Sequence, residues 1–184
     1  MTGVEGVDSR DSPLVARLHR LCETVWRLVV TTVRSCLQYR VTGLAAEINV
    51  LRYRHVPVTV RCEDTGSEAV LREASATLAV QGQASFSFRD TPAPALADVL
   101  VKAGFAVSAA PDEEFDKTVS GRVRHLGTRD LQVALGGTID VTVYAGPSLP
   151  ASRVALLPYV HEQAVSITNH RFGHPTPLTA GLQL

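Results

Sequence analysis

The chain has 184 residues, 45% of them apolar and 20% charged, with 18 Lys plus Arg against 18 Asp plus Glu. That length fits one domain with a sizeable core, and that apolar fraction excludes a disordered or fibrous chain. The balanced charge excludes the general basic excess needed for tight binding to nucleic acid or an anionic membrane, so a nucleic-acid contact is open only through a local arginine patch.

Cys22, Cys36 and Cys62 are an odd set. If their stretch is helical, the first two lie about four turns apart, beyond the reach of a disulfide, so reduced, buried thiols in a cytoplasmic setting are expected. Residues 1–11 are polar and carry no secretory signal, and the apolar stretch Leu28 to Val33 is bounded by Arg27 and Arg34, too soon for a membrane span.

Ser12 and Pro13 read as an N-cap and first helical position. From there Leu14, Leu18, Leu21, Val25 and Leu28 form an apolar stripe, widened by Cys22, Trp26, Val29 and Val33, which predicts a long helix to about Tyr39. Its other face carries Arg17, Arg20, Arg27 and Arg34. Thr42 and Gly43 break the pattern, and Leu44, Ile48 and Leu51 predict a short second helix ending before Pro57.

Val58, Val60 and Cys62 then alternate with polar residues as in a half-buried strand. The span from Glu68 to Glu73 fits either a helical turn or an extended segment. The alternations Ala76, Leu78, Val80 and Ala84, Phe86, Phe88, separated by Gly82, predict an antiparallel hairpin over 76–89. Thr91, Pro92 and Pro94 open a short middle helix with Leu96, Val99 and Leu100 on its apolar face and Gly104 as its left-handed cap. After an acidic loop, Asp112 to Glu114, a three-stranded meander is predicted at Val119–His125, Leu131–Leu135 and Ile139–Tyr144. A last helix is predicted from Ser152 to about Phe172, with Val154, Leu157, Val160, Ala164 and Ile167 on one face. Residues 1–11 and 175–184 read as a flexible N-terminus and a C-terminal tail of a single domain, 1–184. The order of elements implies an α+β fold with mostly antiparallel pairing.

No catalytic constellation stands out. His161 with Glu162 has the start of a zinc-protease helix motif, but Val165 occupies the place of the second histidine. His170 and His174 have a four-residue spacing interrupted by Gly173 and flanked by Pro175. There is no Gly-x-Ser-x-Gly elbow and no Gly-rich phosphate loop, so no catalytic residue, metal or cofactor is expected. The arginine ridge, a second basic patch of Arg122, Arg124 and His125 on the outward face of the meander, and the apolar tail at Leu178, Leu182 and Leu184 are the candidate partner surfaces.

From Thr138 onward, a strand ending Val143-Tyr144-Ala145-Gly146, a loop with Leu149-Pro150, and a terminal amphipathic helix with a tail, about a fifth of this chain, resemble the C-terminal part of tailed-phage head-to-tail connector (adaptor) proteins. The resemblance implies a ring-forming subunit, with Leu178 to Leu184 as a docking arm and the arginine ridge as a subunit contact. The leading expectation is therefore a non-enzymatic structural or assembly protein. It would form a homo-oligomer with neighbouring structural proteins, cytoplasmic during assembly and then in the virion. The alternatives are a cytoplasmic ligand-binding or regulatory domain with a pocket lined by Trp26, Phe86 and Phe88, and a metal-dependent hydrolase using His161, Glu162, His170 and His174.

Overall fold

The computed structural model describes residues 13–21, 23, 38–42, 47–64, 66–150, 152–168, 170–171 and 174–175. Among these, helices and strands are combined, as the α+β reading expects. They build a parallel sheet, an antiparallel sheet and a small two-stranded ribbon.

Helix α1 (residues 13–21) lies within the predicted N-terminal helix and buries Leu18. Strands β1 (Gln38–Thr42) and β2 (Glu47–His55) follow where helix was predicted. β2 pairs antiparallel along its whole length with β8 (Val160–Thr168), which replaces the predicted terminal helix. Local chemistry permits β8, and its pairing with β2 decides both corrections. Pro158 interrupts the helical pattern, leaving only a 3-10 helix at Val154–Tyr159. Beyond it, the β-branched Val160, Val165, Ile167 and Thr168 favour extended backbone, and Gln163, Val165 and Ile167 alternate with more exposed neighbours as in a strand. β8 is buried in alternation, and its ladder with β2 supplies the backbone partners that a helix would have found internally.

The larger sheet contains β3 (Val58–Cys62), β4 (Ala84–Phe88), β5 (Ala106–Ala109), β6 (Gly121–Leu126) and β7 (Val141–Tyr144), in the order β5-β4-β3-β6-β7. Every neighbouring pair is parallel. The predicted hairpin and meander are therefore corrected to strands joined by helices, because parallel neighbours need a crossover between them. Helix α2 (Ser67–Ala79) occupies half of the predicted hairpin. It is buried on nearly all sides, and its Ala-rich sequence alternates as well as it spirals, so no single stripe marks it. Two of its buried hydroxyls bond back along the helix, Ser75 to the Leu71 carbonyl and Thr77 to that of Glu73.

α3 (Pro94–Lys102) matches its prediction, with Pro94 in its first turn. Gly104 at φ +91° lets the Gly104 and Phe105 amides close on the Val101 and Leu100 carbonyls. α4 (Asp112–Thr118) forms from the supposed acidic loop, its three leading carboxylates suiting the positive end of a helix. α5 (Leu131–Ala134) replaces the middle strand of the meander, because the Asp130 carboxylate caps the Val133 amide and leaves Val133 exposed.

The two faces of the parallel sheet have separate cores. Val58, Val60, Cys62, Phe86 and Phe88 pack with Leu71, Leu100 and Tyr159 under α1, α2, α3 and the 3-10 helix. Val123 and Val141 pack with Phe115 of α4 and Leu131 of α5. Strands β3 and β6 are central, and the chain winds outward from them in opposite directions.

Candidate functional site at the carboxyl ends of the parallel strands

In a sheet wound this way, the loops after the two central strands diverge and leave a crevice at their carboxyl ends. Here those ends are Cys62 and Leu126, joined by a hydrogen bond from the Glu63 amide to the Leu126 carbonyl (2.9 Å). Ionisable side chains from β3, α4, β6 and the turns after β3 and β6 converge on this place, and no sequence motif marks them.

Arg61 is fully buried, which is uncommon for an arginine. It donates to Ser87 Oγ (3.0 Å) and Asp112 Oδ1 (2.6 Å), and its guanidinium lies 4.3 Å from the centre of the Phe115 ring. Glu63 is 2% exposed. Its Oε1 accepts from Arg129 Nε (3.2 Å) and lies 3.1 Å from His125 Nε2 and 3.8 Å from Arg61 Nε. Arg129 also grips Asp116 with two hydrogen bonds, at 2.7 and 3.0 Å. That bidentate bond leads in pushing the Arg129 pKa upward, with the Glu63, Asp116 and Asp112 charges adding to it against burial. Burial acts to raise the Asp112 carboxyl, but the hydrogen bond from Arg61 and the charges of Arg129, Arg61 and Arg89 outweigh it and hold the group below its usual range. Gly127 closes the cluster: a Cβ there would stand 2.6 Å from Glu63 Oε2 and 2.8 Å from His125 Nε2, so no larger residue fits without displacement.

A second buried network lies on the other face. Arg124 pairs with Glu73 (3.0 Å) and donates to the carbonyls of Tyr144, Gly146 and Pro147. Tyr159 donates to the other Glu73 oxygen (2.6 Å), and burial, then the Glu73 charge, push its hydroxyl well above its ordinary pKa. This network anchors the segment that leaves β7. A cleft of about 240 Å³ lies beside it, and another of about 440 Å³ lies at the amino ends of β3, β4 and β6, lined by Thr59, Gln83, Ser85 and Arg122 among others.

Of the candidate partner residues, Arg17, Arg20, Arg122 and Arg124 are among those described. Arg17 is exposed on α1 and pairs with Glu68, and Arg20 is exposed on the same helix. Arg27, Arg34, Leu178, Leu182 and Leu184, like Trp26, lie outside the described residues. The proposed basic patch at 122–125 is corrected: Arg124 and His125 are buried, and Arg122 is turned onto the carbonyls of Pro158 and Val160 with its guanidinium 5.3 Å from the Tyr144 ring centre. The cause is the parallel sheet, which covers both faces of β6. Phe86 and Phe88 fill the core instead of a pocket. His161 and Glu162 are exposed on β8, where the spacing of a metal-binding helix does not apply, and Glu162 accepts from Tyr53. His170 and His174 belong to the ribbon strands β9 (His170–Arg171) and β10 (His174–Pro175). Among the described residues, no group of three or more His, Cys, Asp or Glu could hold a metal ion, and no helix is long and apolar enough to cross a membrane.

No family model and no curated protein matches the chain. Solved structures do. Proline Utilization A (PutA) from Corynebacterium freiburgense aligns with a TM-score of 0.51 and 23% identity, over 95% of this chain and 16% of that one. A PutA from Bdellovibrio bacteriovorus gives 0.45 and 14%, over 75% and 21%. An NAD-dependent benzaldehyde dehydrogenase from Corynebacterium glutamicum gives 0.48 and 12%, over 74% and 42%. The chain thus spans less than half the length of each. The first of these shows a shared fold, and it overturns the expectation of a non-enzymatic virion connector and of a structural protein outside enzymes. Of the strand, loop and terminal helix that carried the connector resemblance, the strand forms as β7, and β8 stands in place of the helix.

A sheet wound in this order commonly holds a dinucleotide, with the pyrophosphate against a glycine-rich turn at the start of a helix. The residues here do not fit that group. The turn after β3 carries Glu63 and Asp64 and has one glycine, Gly66. The Glu63 carboxylate lies in the crevice itself, packed against Gly127.

Proposed function

We propose that this chain is a Rossmann-type domain of a dehydrogenase-type enzyme that acts in proline utilisation. One observation carries the reading: the all-parallel sheet β5-β4-β3-β6-β7, together with the separate antiparallel sheet of β1, β2 and β8, belongs to a fold that aligns over 95% of the chain with a PutA. Fold gives the class of enzyme, whereas a site gives the role within it. Here the role is that of a supporting domain, with the bond-making chemistry carried by other parts of the enzyme.

The test is an in-frame chromosomal deletion of the segment encoding residues 13–175. Proline-dependent NAD+ reduction in extracts should fall severalfold, and growth on proline as nitrogen source should slow, both restored by the intact gene. Extracts of the deletion strain that reduce NAD+ with proline at the parental rate would overturn the proposal.

A further inference from the structure

We infer that Glu63 is a built-in anion, occupying with its own carboxylate the position at which this crevice would otherwise receive a ligand's phosphate. The inference rests on the Rossmann-type reading above and gives that domain a definite ligand property. Three observations support it.

The first is position. Glu63 directly follows β3, its amide is tied to the end of β6, and its side chain is 2% exposed between the two central strands. The second is the set of groups that face it: two guanidinium groups and an imidazole, from Arg61, Arg129 and His125. Planar forked donors of this kind suit phosphate as well as carboxylate. Two are under-used, since Arg61 Nε and the N–H of the His125 imidazole, neither of whose ring nitrogens makes a hydrogen bond among the described residues, are buried. Buried donors in that state are expensive unless an anion faces them, and Glu63 is the anion present.

The third is charge. Arg61 and Arg129 face three carboxylates, those of Glu63, Asp112 and Asp116. A phosphate entering beside them would meet a negative excess in a poorly solvated place, so the wild-type crevice rejects it. Glu63→Ser removes one negative charge, vacates the space beside Gly127 and leaves the donors facing an opening.

The probes are inorganic pyrophosphate and NAD+, titrated into the purified chain and followed by calorimetry and by amide NMR at Gly127 and Arg129. The wild-type protein should show no saturable heat and no shift at either amide. Glu63→Ser should bind pyrophosphate at least roughly tenfold more tightly than wild type, a change of about 1.4 kcal/mol. Adding Arg129→Gln should remove the gain. Should Glu63→Ser fail to fold, Glu63→Gln keeps the shape, loses the charge and carries the same expectation. Saturable wild-type binding that shifts Gly127, or a folded variant with no gained affinity, would overturn the inference. Because the readout is binding to the isolated chain, its failure is distinct from failure of the deletion test, which reads turnover by the enzyme.

Discussion

Arg124 and Glu73 show how a charged pair can be kept inside a small domain. Both are nearly inaccessible, and the arginine's remaining donors are used by the carbonyls of His125, Tyr144, Gly146 and Pro147. Removing one partner leaves the other buried and unpaired, which costs about 3–5 kcal/mol. Arg124→Ala should therefore lower stability by that order in urea unfolding, far more than Arg17→Ala on the exposed face of α1. Cys62 gives a pH-dependent counterpart. Burial, then the Glu73 charge, push its thiol up to about 12, above the usual value of about 8.5 in an unfolded chain. The folded state therefore holds this proton more tightly than the unfolded state. The corresponding stability is fully present below pH 8.5 and is lost as pH rises toward 12, by about 1.4 kcal/mol per pH unit. Cys62→Ala should flatten that alkaline slope in urea titrations, and peptide mapping should find native Cys62 unalkylated at pH 8.

The elements are unequally supported. β3 lies at the centre of the sheet, with β4 on one side and β6 on the other, and its residues belong to the buried core. β5 is a four-residue edge strand, largely exposed. Local opening follows such differences in burial and pairing, so amide exchange should be slowest at Val60 to Cys62, approaching global unfolding, and much faster at Ala106 to Ala109. Equal protection of the two strands would contradict the observed order. The same contrast explains which elements were legible beforehand. α3 was readable because Pro94 and Gly104 mark its ends by backbone chemistry that needs no neighbour. α2 was not, because burial on nearly all sides removes the polar stripe that distinguishes a spiral from an alternation.

At the scale of the whole molecule, the two central strands create a crevice, and the chain places its own carboxylate there. The deletion and pyrophosphate experiments probe this level, the first for the enzyme and the second for the closed site. The crevice is not marked in the sequence as one site: His125 reads as part of a surface patch and Asp112 as part of a loop, and Arg61, Glu63, Asp112, His125 and Arg129 are scattered over 69 positions without a recurrent spacing. Their signal was weak but present: Arg61 stands between Val60 and Cys62 in an otherwise uncharged strand. By itself, the sequence determined the strands at 58–62, 84–88 and 141–144, the proline-initiated helices and the glycine-capped turn, because each rests on the conformational limits of residues adjacent in the chain. Only the tertiary structure decided that those strands run parallel, that 160–168 is a strand, and that Arg124 and His125 face inward. Strand partners and buried charges are chosen by groups distant in sequence, and no local pattern encodes which distant group will satisfy them.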